Sequence, residues 1–113
     1  MHALIIEDEP LIAMAIEDIL RADGFTSFDF AISAEDAVIV AGSRCPDLIT
    51  SDVMLKSGNG MDAIEAICQK SPVPVIFITS NPEQVHVRFP AYAVVRKPFS
   101  DRDVTAALQS VRQ

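Results

Sequence analysis

Tryptophan is absent from this chain, tyrosine occurs once and glycine only four times in 113 residues. At 6% aromatic content the phenylalanines are read as core and edge packing, not as a stacking platform for bases. Basic residues are scarce too: nine Lys and Arg stand against sixteen Asp and Glu, a net charge of −7. Nucleic-acid binding needs a basic footprint, so no DNA or RNA partner is expected, and the partner should be a protein or a small molecule. The two cysteines, Cys45 and Cys68, are widely spaced and lack metal-ligand spacing; reduced thiols are expected, with Cys68 in the core. No apolar run is long enough to cross a bilayer, and no basic start with a small-residue cleavage site marks a signal peptide. A cytoplasmic protein without membrane contact is expected.

What the chain does have is hydrophobic content, 50% of residues, enough for one domain over 1–113 with a real core. Aliphatic runs at His2–Ile6, Leu48–Ser51, Val73–Ile78 and Ala93–Arg96 read as buried strands of a parallel sheet. Thr26–Ala31 alternates Phe28 and Phe30 with Ser27 and Asp29, the pattern of a less buried edge strand. Between the runs lie helical stripes. Pro10 opens the first, carried by Ile12, Ile16 and Ile19 and stopped at Gly24. Ser33 with Asp36 starts the second, and Met61, Ile64 and Ile67 mark the third. Asn81-Pro82-Glu83 opens a fourth, with Asn81 as cap, that Phe89-Pro90 must end early. Ser100 with Asp103 starts the last. Five strands alternating with five helices predict a doubly wound α/β sheet.

Each buried run ends in a chemically apt residue: Glu7 and Asp8, Asp52, Thr79, and Lys97. Ligands of such sheets bind at the carboxyl ends of the strands, so residues far apart in sequence should converge. Three carboxylates held together repel, and a hard divalent cation such as Mg²⁺ is the natural remedy. Asp8 and Asp52 are candidate direct ligands, with Glu7 direct or through water. Asp52 is then the best nucleophile toward phosphorus, giving an aspartyl phosphate. The metal, the Lys97 ammonium and the Thr79 hydroxyl would cover the three equatorial oxygens. Taken singly, each residue has a plainer reading. An acidic pair more often caps a helix, Asp52 suits a turn, Thr79 a cap and Lys97 a solvated surface. Four such coincidences at alternate strand ends favour the joint site. His2 and His86 look incidental.

The chain resembles the receiver domain of bacterial two-component response regulators over nearly its whole length. The resemblance rests on Leu4-Ile5-Ile6-Glu7-Asp8-Glu9, Pro46-Asp47-Leu48 leading into Asp52-Val53-Met54-Leu55, Gly60-Met61-Asp62, Pro74 through Thr79, and Lys97-Pro98-Phe99. It implies a flavodoxin-like fold with strand order 2-1-3-4-5. It also implies phosphorylation of Asp52 by a sensor histidine kinase or a histidine phosphotransferase. By the same analogy Asp8, Asp52 and the Met54 carbonyl bind Mg²⁺, Glu7 helps through water, Thr79 and Lys97 read the phosphoryl group, and Pro98 follows a cis peptide. Ile5 through Pro10 with Ile16-Glu17-Asp18-Ile19-Leu20, and Val75 through Thr79 with Pro82-Glu83, further resemble receivers of the PhyR type, which serve the general stress response of alphaproteobacteria.

Departures from the family pattern bear on switching. Val94 stands three before Lys97, where an inward-swinging aromatic is usual; Tyr92 lies two residues earlier on the same strand face. The loop after Asp52 has Lys56-Ser57-Gly58 in place of the common proline, and Ser80 follows Thr79 where a small apolar residue is usual. The expectation is a single-domain, non-enzymatic phosphoacceptor whose switch surface lies near Phe89, Tyr92 and Val94, acting on a downstream protein. Two other readings stay open. A haloacid-dehalogenase-like phosphatase also uses Asp, Thr and Lys, but Val53-Met54 offers no second acidic residue after Asp52 and the chain lacks length for a cap. A binding module could keep the fold without phosphorylation.

Overall fold

The computed structural model describes residues 1–112; Gln113, the last residue of the expected domain, lies outside them. The aliphatic runs form β1 (His2–Ile6), β3 (Leu48–Ser51), β4 (Val75–Thr79) and β5 (Ala93–Arg96), and the alternating segment forms β2 (Ser27–Ala31). All pairings are parallel and the order is β2-β1-β3-β4-β5. Every residue of β1, β3 and β4 is buried, as strands covered on both faces must be, whereas edge strand β2 is half-exposed.

Helices α1 (Pro10–Ala22) and α5 (Asp101–Val111) cover one face of the sheet. Their Ile16, Ile19, Leu20, Val104 and Leu108 meet Ala3, Ile5, Ile76 and Ile78. Helices α2 (Ala34–Ser43), α3 (Gly60–Lys70) and α4 (Pro82–Arg88) cover the other, over Leu4, Ile6, Ile49 and Phe77. The strand order places β1 and β3 side by side at the centre, with crossovers to opposite faces, which leaves a crevice above their carboxyl ends. Register is explicit there: Ile6 pairs with Ser51, so Glu7 and Asp52 emerge as neighbours.

The helix ends follow the local chemistry. The Ser33 hydroxyl accepts from the Asp36 N–H, and Ser100 with Asp103 forms a reciprocal capping box. Gly24 ends α1 at φ 108°, a region costly for residues with a Cβ. Helix α4 has just seven residues, as Pro90 requires. One expected cap does not form. Asn81 precedes α4, but its side chain makes no capping bond; its own N–H donates to the Thr79 hydroxyl at 3.0 Å.

Two further expectations need correcting. Cys68 is half-buried rather than a core residue, packing against the α3 side while its thiol faces the Val73 carbonyl; Cys45 is exposed, and both thiols are free. His2 is not incidental. Its ring is buried, with Nδ1 2.7 Å from the Ser27 hydroxyl and Nε2 2.9 Å from Asp29, stitching β1 to the edge strand. No helix among the described residues is long and apolar enough to cross a membrane.

Candidate functional site

The strand ends assemble one acidic cluster. Glu7, Asp8 and Asp52 each offer a carboxylate oxygen, and these oxygens lie within 4.8 Å of one another. Glu7 is 3% exposed and Asp52 9%. Lys97 arrives from the end of β5, and its Nζ donates to both Glu7 Oε1 and Asp52 Oδ2 at 2.8 Å. The other Asp52 oxygen, Oδ1, accepts from the Val53 N–H at 2.7 Å. Glu7 Oε2 accepts from the Glu9 N–H at 3.2 Å, so the acidic pair is tied to the start of α1.

These contacts compete electrostatically. Burial pushes the Glu7 carboxyl above its ordinary value, against the hydrogen bond and charge of Lys97, while the Asp52 charge adds to the rise. Burial also works to lower Lys97, but the hydrogen bonds and charges of Asp52 and Glu7 outweigh it and hold the ammonium above its ordinary value. The two carboxylates thus hold Lys97 as the ammonium, while burial favours the protonated form of Glu7. Two buried carboxylates share one ammonium. The remaining negative charge, presented by hard oxygen donors, suits a divalent cation that keeps several waters. The residues present thus fit Mg²⁺.

Above the cluster opens a cleft of about 610 Å³, with Asp8, Asp52, Met54, Ser80, Lys97 and Pro98 in its lining. The Lys97–Pro98 peptide is cis, as the resemblance implied. Thr79 sits at the end of β4, fully buried, with its hydroxyl engaged by the Asn81 N–H and its carbonyl accepting from the Lys97 N–H at 2.9 Å. Phe89, Tyr92 and Val94 do not line the cleft; they pack on the α3–α4 side of the sheet. There Phe77, Phe89 and Tyr92 form an aromatic trio with centroids 4.8 to 5.9 Å apart. Burial raises the Tyr92 phenol above its ordinary value, helped by the neighbouring Cys68 thiol.

Sequence reasoning passed over three features of the site. The loop after Asp52 is pinned at its middle on two sides: the Lys56 N–H donates to Asp8 Oδ2 at 2.6 Å, and the Ala34 N–H donates to the Ser57 carbonyl at 3.1 Å. A Cβ on Gly58, which has φ +87°, would come 2.5 Å from the Ala34 Cβ. Gly60 is glycine for a different reason: a Cβ there would lie 1.7 Å from the Asp52 carbonyl oxygen. Helix α4 is also clipped by ion pairs, Arg88 to Asp62 and Glu65 of α3, and Arg96 to Glu83. The Gly58 and Gly60 positions were visible in the sequence, but their reasons are contacts with residues distant along it.

The chain belongs to the response regulator receiver domain family, which matches residues 3–109. It is similar to the phyllosphere-induced regulator PhyR of Methylorubrum extorquens, 39% identical over 110 residues that cover 93% of this chain and 41% of that protein. The transcriptional regulatory protein PdtaR of Mycobacterium tuberculosis is 33% identical over 112 residues, 96% of this chain and 55% of the relative. The solution structure of the Erythrobacter litoralis PhyR receiver domain superposes with a TM-score of 0.89 at 34% identity, covering 98% of this chain and 88% of that one. The chain spans about half, or less, of the length of these two regulators.

Proposed function

We propose that the chain is a Mg²⁺-dependent phosphoryl acceptor that takes its phosphoryl group at Asp52 from a histidine kinase or histidine phosphotransferase. The observation that carries this reading is the joint engagement of Glu7 and Asp52 by Lys97 beside Asp8. A carboxylate oxygen of Asp52 attacks phosphorus while the bond from phosphorus to the donor imidazole nitrogen breaks, and the electron pair leaves with that nitrogen. Asp8, Asp52 and the Met54 carbonyl would hold the cation, with Glu7 acting through water; the cation supplies charge neutralisation on the phosphoryl oxygens. Lys97, already donating to Asp52 Oδ2, moves its hydrogen bond to a phosphoryl oxygen. Thr79 turns its hydroxyl toward another.

That turn has a consequence particular to this chain. The Thr79 hydroxyl is the acceptor for the N–H of Asn81, the residue that precedes α4. Engaging a phosphoryl group withdraws it and frees the start of a seven-residue helix. The aromatic trio lies beneath that helix, with Tyr92 standing in for the aromatic that Val94 does not supply. Switching then alters the surface around Phe89, Tyr92 and Val94 and with it the binding of a downstream protein. The test is labelling by an acyl phosphate with Mg²⁺, read by intact mass. The parent should gain one phosphoryl group and Asp52→Asn none; full labelling of the variant would place the acceptor elsewhere.

A further inference from the structure

The three carboxylates of the acidic cluster are held in different ways. Glu7 takes bonds from Lys97 and the Glu9 N–H, and Asp52 from Lys97 and the Val53 N–H. Asp8, half-buried in the lining of the cleft, has no ammonium partner among the described residues. Its one donor there is the Lys56 N–H, 2.6 Å from Oδ2. A carboxylate left to swing must be ordered when a cation binds, at a cost in rotamer entropy. The Lys56 N–H fixes the group beforehand and leaves Oδ1 for a metal.

The donor is itself anchored. Met54 and Asn59 form an antiparallel bridge across the base of the loop, and the Gly60 N–H donates to the Val53 carbonyl at 2.8 Å. On the far side the Ser57 carbonyl accepts from the Ala34 N–H, a first-turn N–H that α2 cannot satisfy internally. Gly58 passes so close that a Cβ on it would lie 2.5 Å from the Ala34 Cβ. Residues 56–58 thus run as a strap from the start of α2 to Asp8. The strap acts through the main chain, so any residue except proline can supply its donor. The Met54 carbonyl, named above as a further ligand, belongs to the same closed loop.

We propose that Lys56 is a positioning residue of the metal site: its N–H orients the Asp8 carboxylate for a divalent cation, and the strap from α2 holds that N–H in place. This rests on reading the cluster as a Mg²⁺ site, not on Asp52 as the acceptor. Lys56→Pro removes the N–H, while Lys56→Ala keeps it and loses the same ammonium. Mg²⁺ titration of the ¹⁵N-labelled full chains, followed by NMR, should show the proline variant binding at least about 10-fold more weakly than the alanine variant. Gly58→Ala, which pushes the strap off α2, should weaken binding in the same direction. Acyl-phosphate labelling of Lys56→Pro should be slower than that of Lys56→Ala at limiting Mg²⁺ and equal to it at saturation. In the parent, the Lys56 amide proton should resonate downfield, as a short bond to a carboxylate requires, and stay there when Mg²⁺ is added. That measurement decides the matter even where the proline variant does not fold. Equal affinity in the two Lys56 variants, tighter binding in the proline variant, or an upfield return of the Lys56 amide on Mg²⁺ addition would overturn the proposal. A parent that binds Mg²⁺ but takes no label overturns Asp52 as acceptor and leaves Lys56 in its role; a parent that binds no Mg²⁺ overturns both.

Discussion

Replacing Lys97 by methionine keeps the aliphatic stem and removes only the ammonium, which isolates its electrostatic role. That ammonium makes two contacts of 2.8 Å, to Glu7 and Asp52, from a side chain 11% exposed. A hydrogen bond to a charged group is worth roughly 1.5–3 kcal/mol net, so losing both bounds the cost at about 3–6 kcal/mol. Water at the mouth of the cleft screens part of this. Glu7 relieves more, because burial already raises its carboxyl and Lys97 is the chief opposing influence. In the variant that carboxyl rises further and takes up a proton. The expected destabilisation is about 2–4 kcal/mol near neutral pH. Its pH dependence has a definite sign. A carboxyl raised in the folded state binds more protons than in the unfolded state between the two values, so stability falls as pH climbs through that window. The variant widens the window upward, so its deficit against the parent should shrink between neutral and mildly acidic pH. Urea unfolding followed by far-UV circular dichroism at both pH values reads this directly. A deficit below about 1 kcal/mol at the higher pH, or one that does not shrink on acidification, refutes Lys97 as the counter-charge of the cluster.

Gly60→Ala forces a Cβ to within 1.7 Å of the Asp52 carbonyl oxygen. We expect a loss of more than about 3 kcal/mol and slower acyl-phosphate labelling, and an unchanged melting temperature would contradict the close packing. Thr79→Val removes the acceptor of the Asn81 N–H, at a cost of about 1–2 kcal/mol in urea unfolding. It should also uncouple α4, so that beryllofluoride shifts resonances around Asp52 but not those of Pro82–Arg88; persistent α4 shifts would assign the coupling to another group. The Tyr92 phenol should ionise above the ordinary tyrosine range in an ultraviolet pH titration, and Cys68→Ala should lower it toward that range. Ionisation at or below the ordinary value would mean that the ring lies outside the aromatic trio.

The strands were readable because a doubly covered sheet needs uninterrupted aliphatic runs, and each run ended on a residue whose chemistry stood out from it. Edge strand β2 announced itself through alternation, and the brevity of α4 through Pro82 and Pro90. What stayed hidden depends on contacts across the chain. His2 offered no ligand-spaced companion in sequence, and only the pairing of His2 with Ser27 in the sheet register brings its ring to Ser27 and Asp29. Asn81 carries a strong capping signature, yet its side chain makes no capping bond, and its own N–H donates to the Thr79 hydroxyl. The loop after Asp52 lacks the common proline, and its order comes from Asp8 and Ala34, each more than twenty residues away in sequence.

The Lys97 amine reaches carboxylates 90 and 45 residues earlier in the chain. An emerging polypeptide therefore exposes Glu7 and Asp52 well before their shared cation partner leaves the ribosome. Until β5 takes its place at the margin of the sheet, Asp52 lacks the ammonium that steadies its oxygen. The acidic cluster is thus completed only when the last strand joins the sheet.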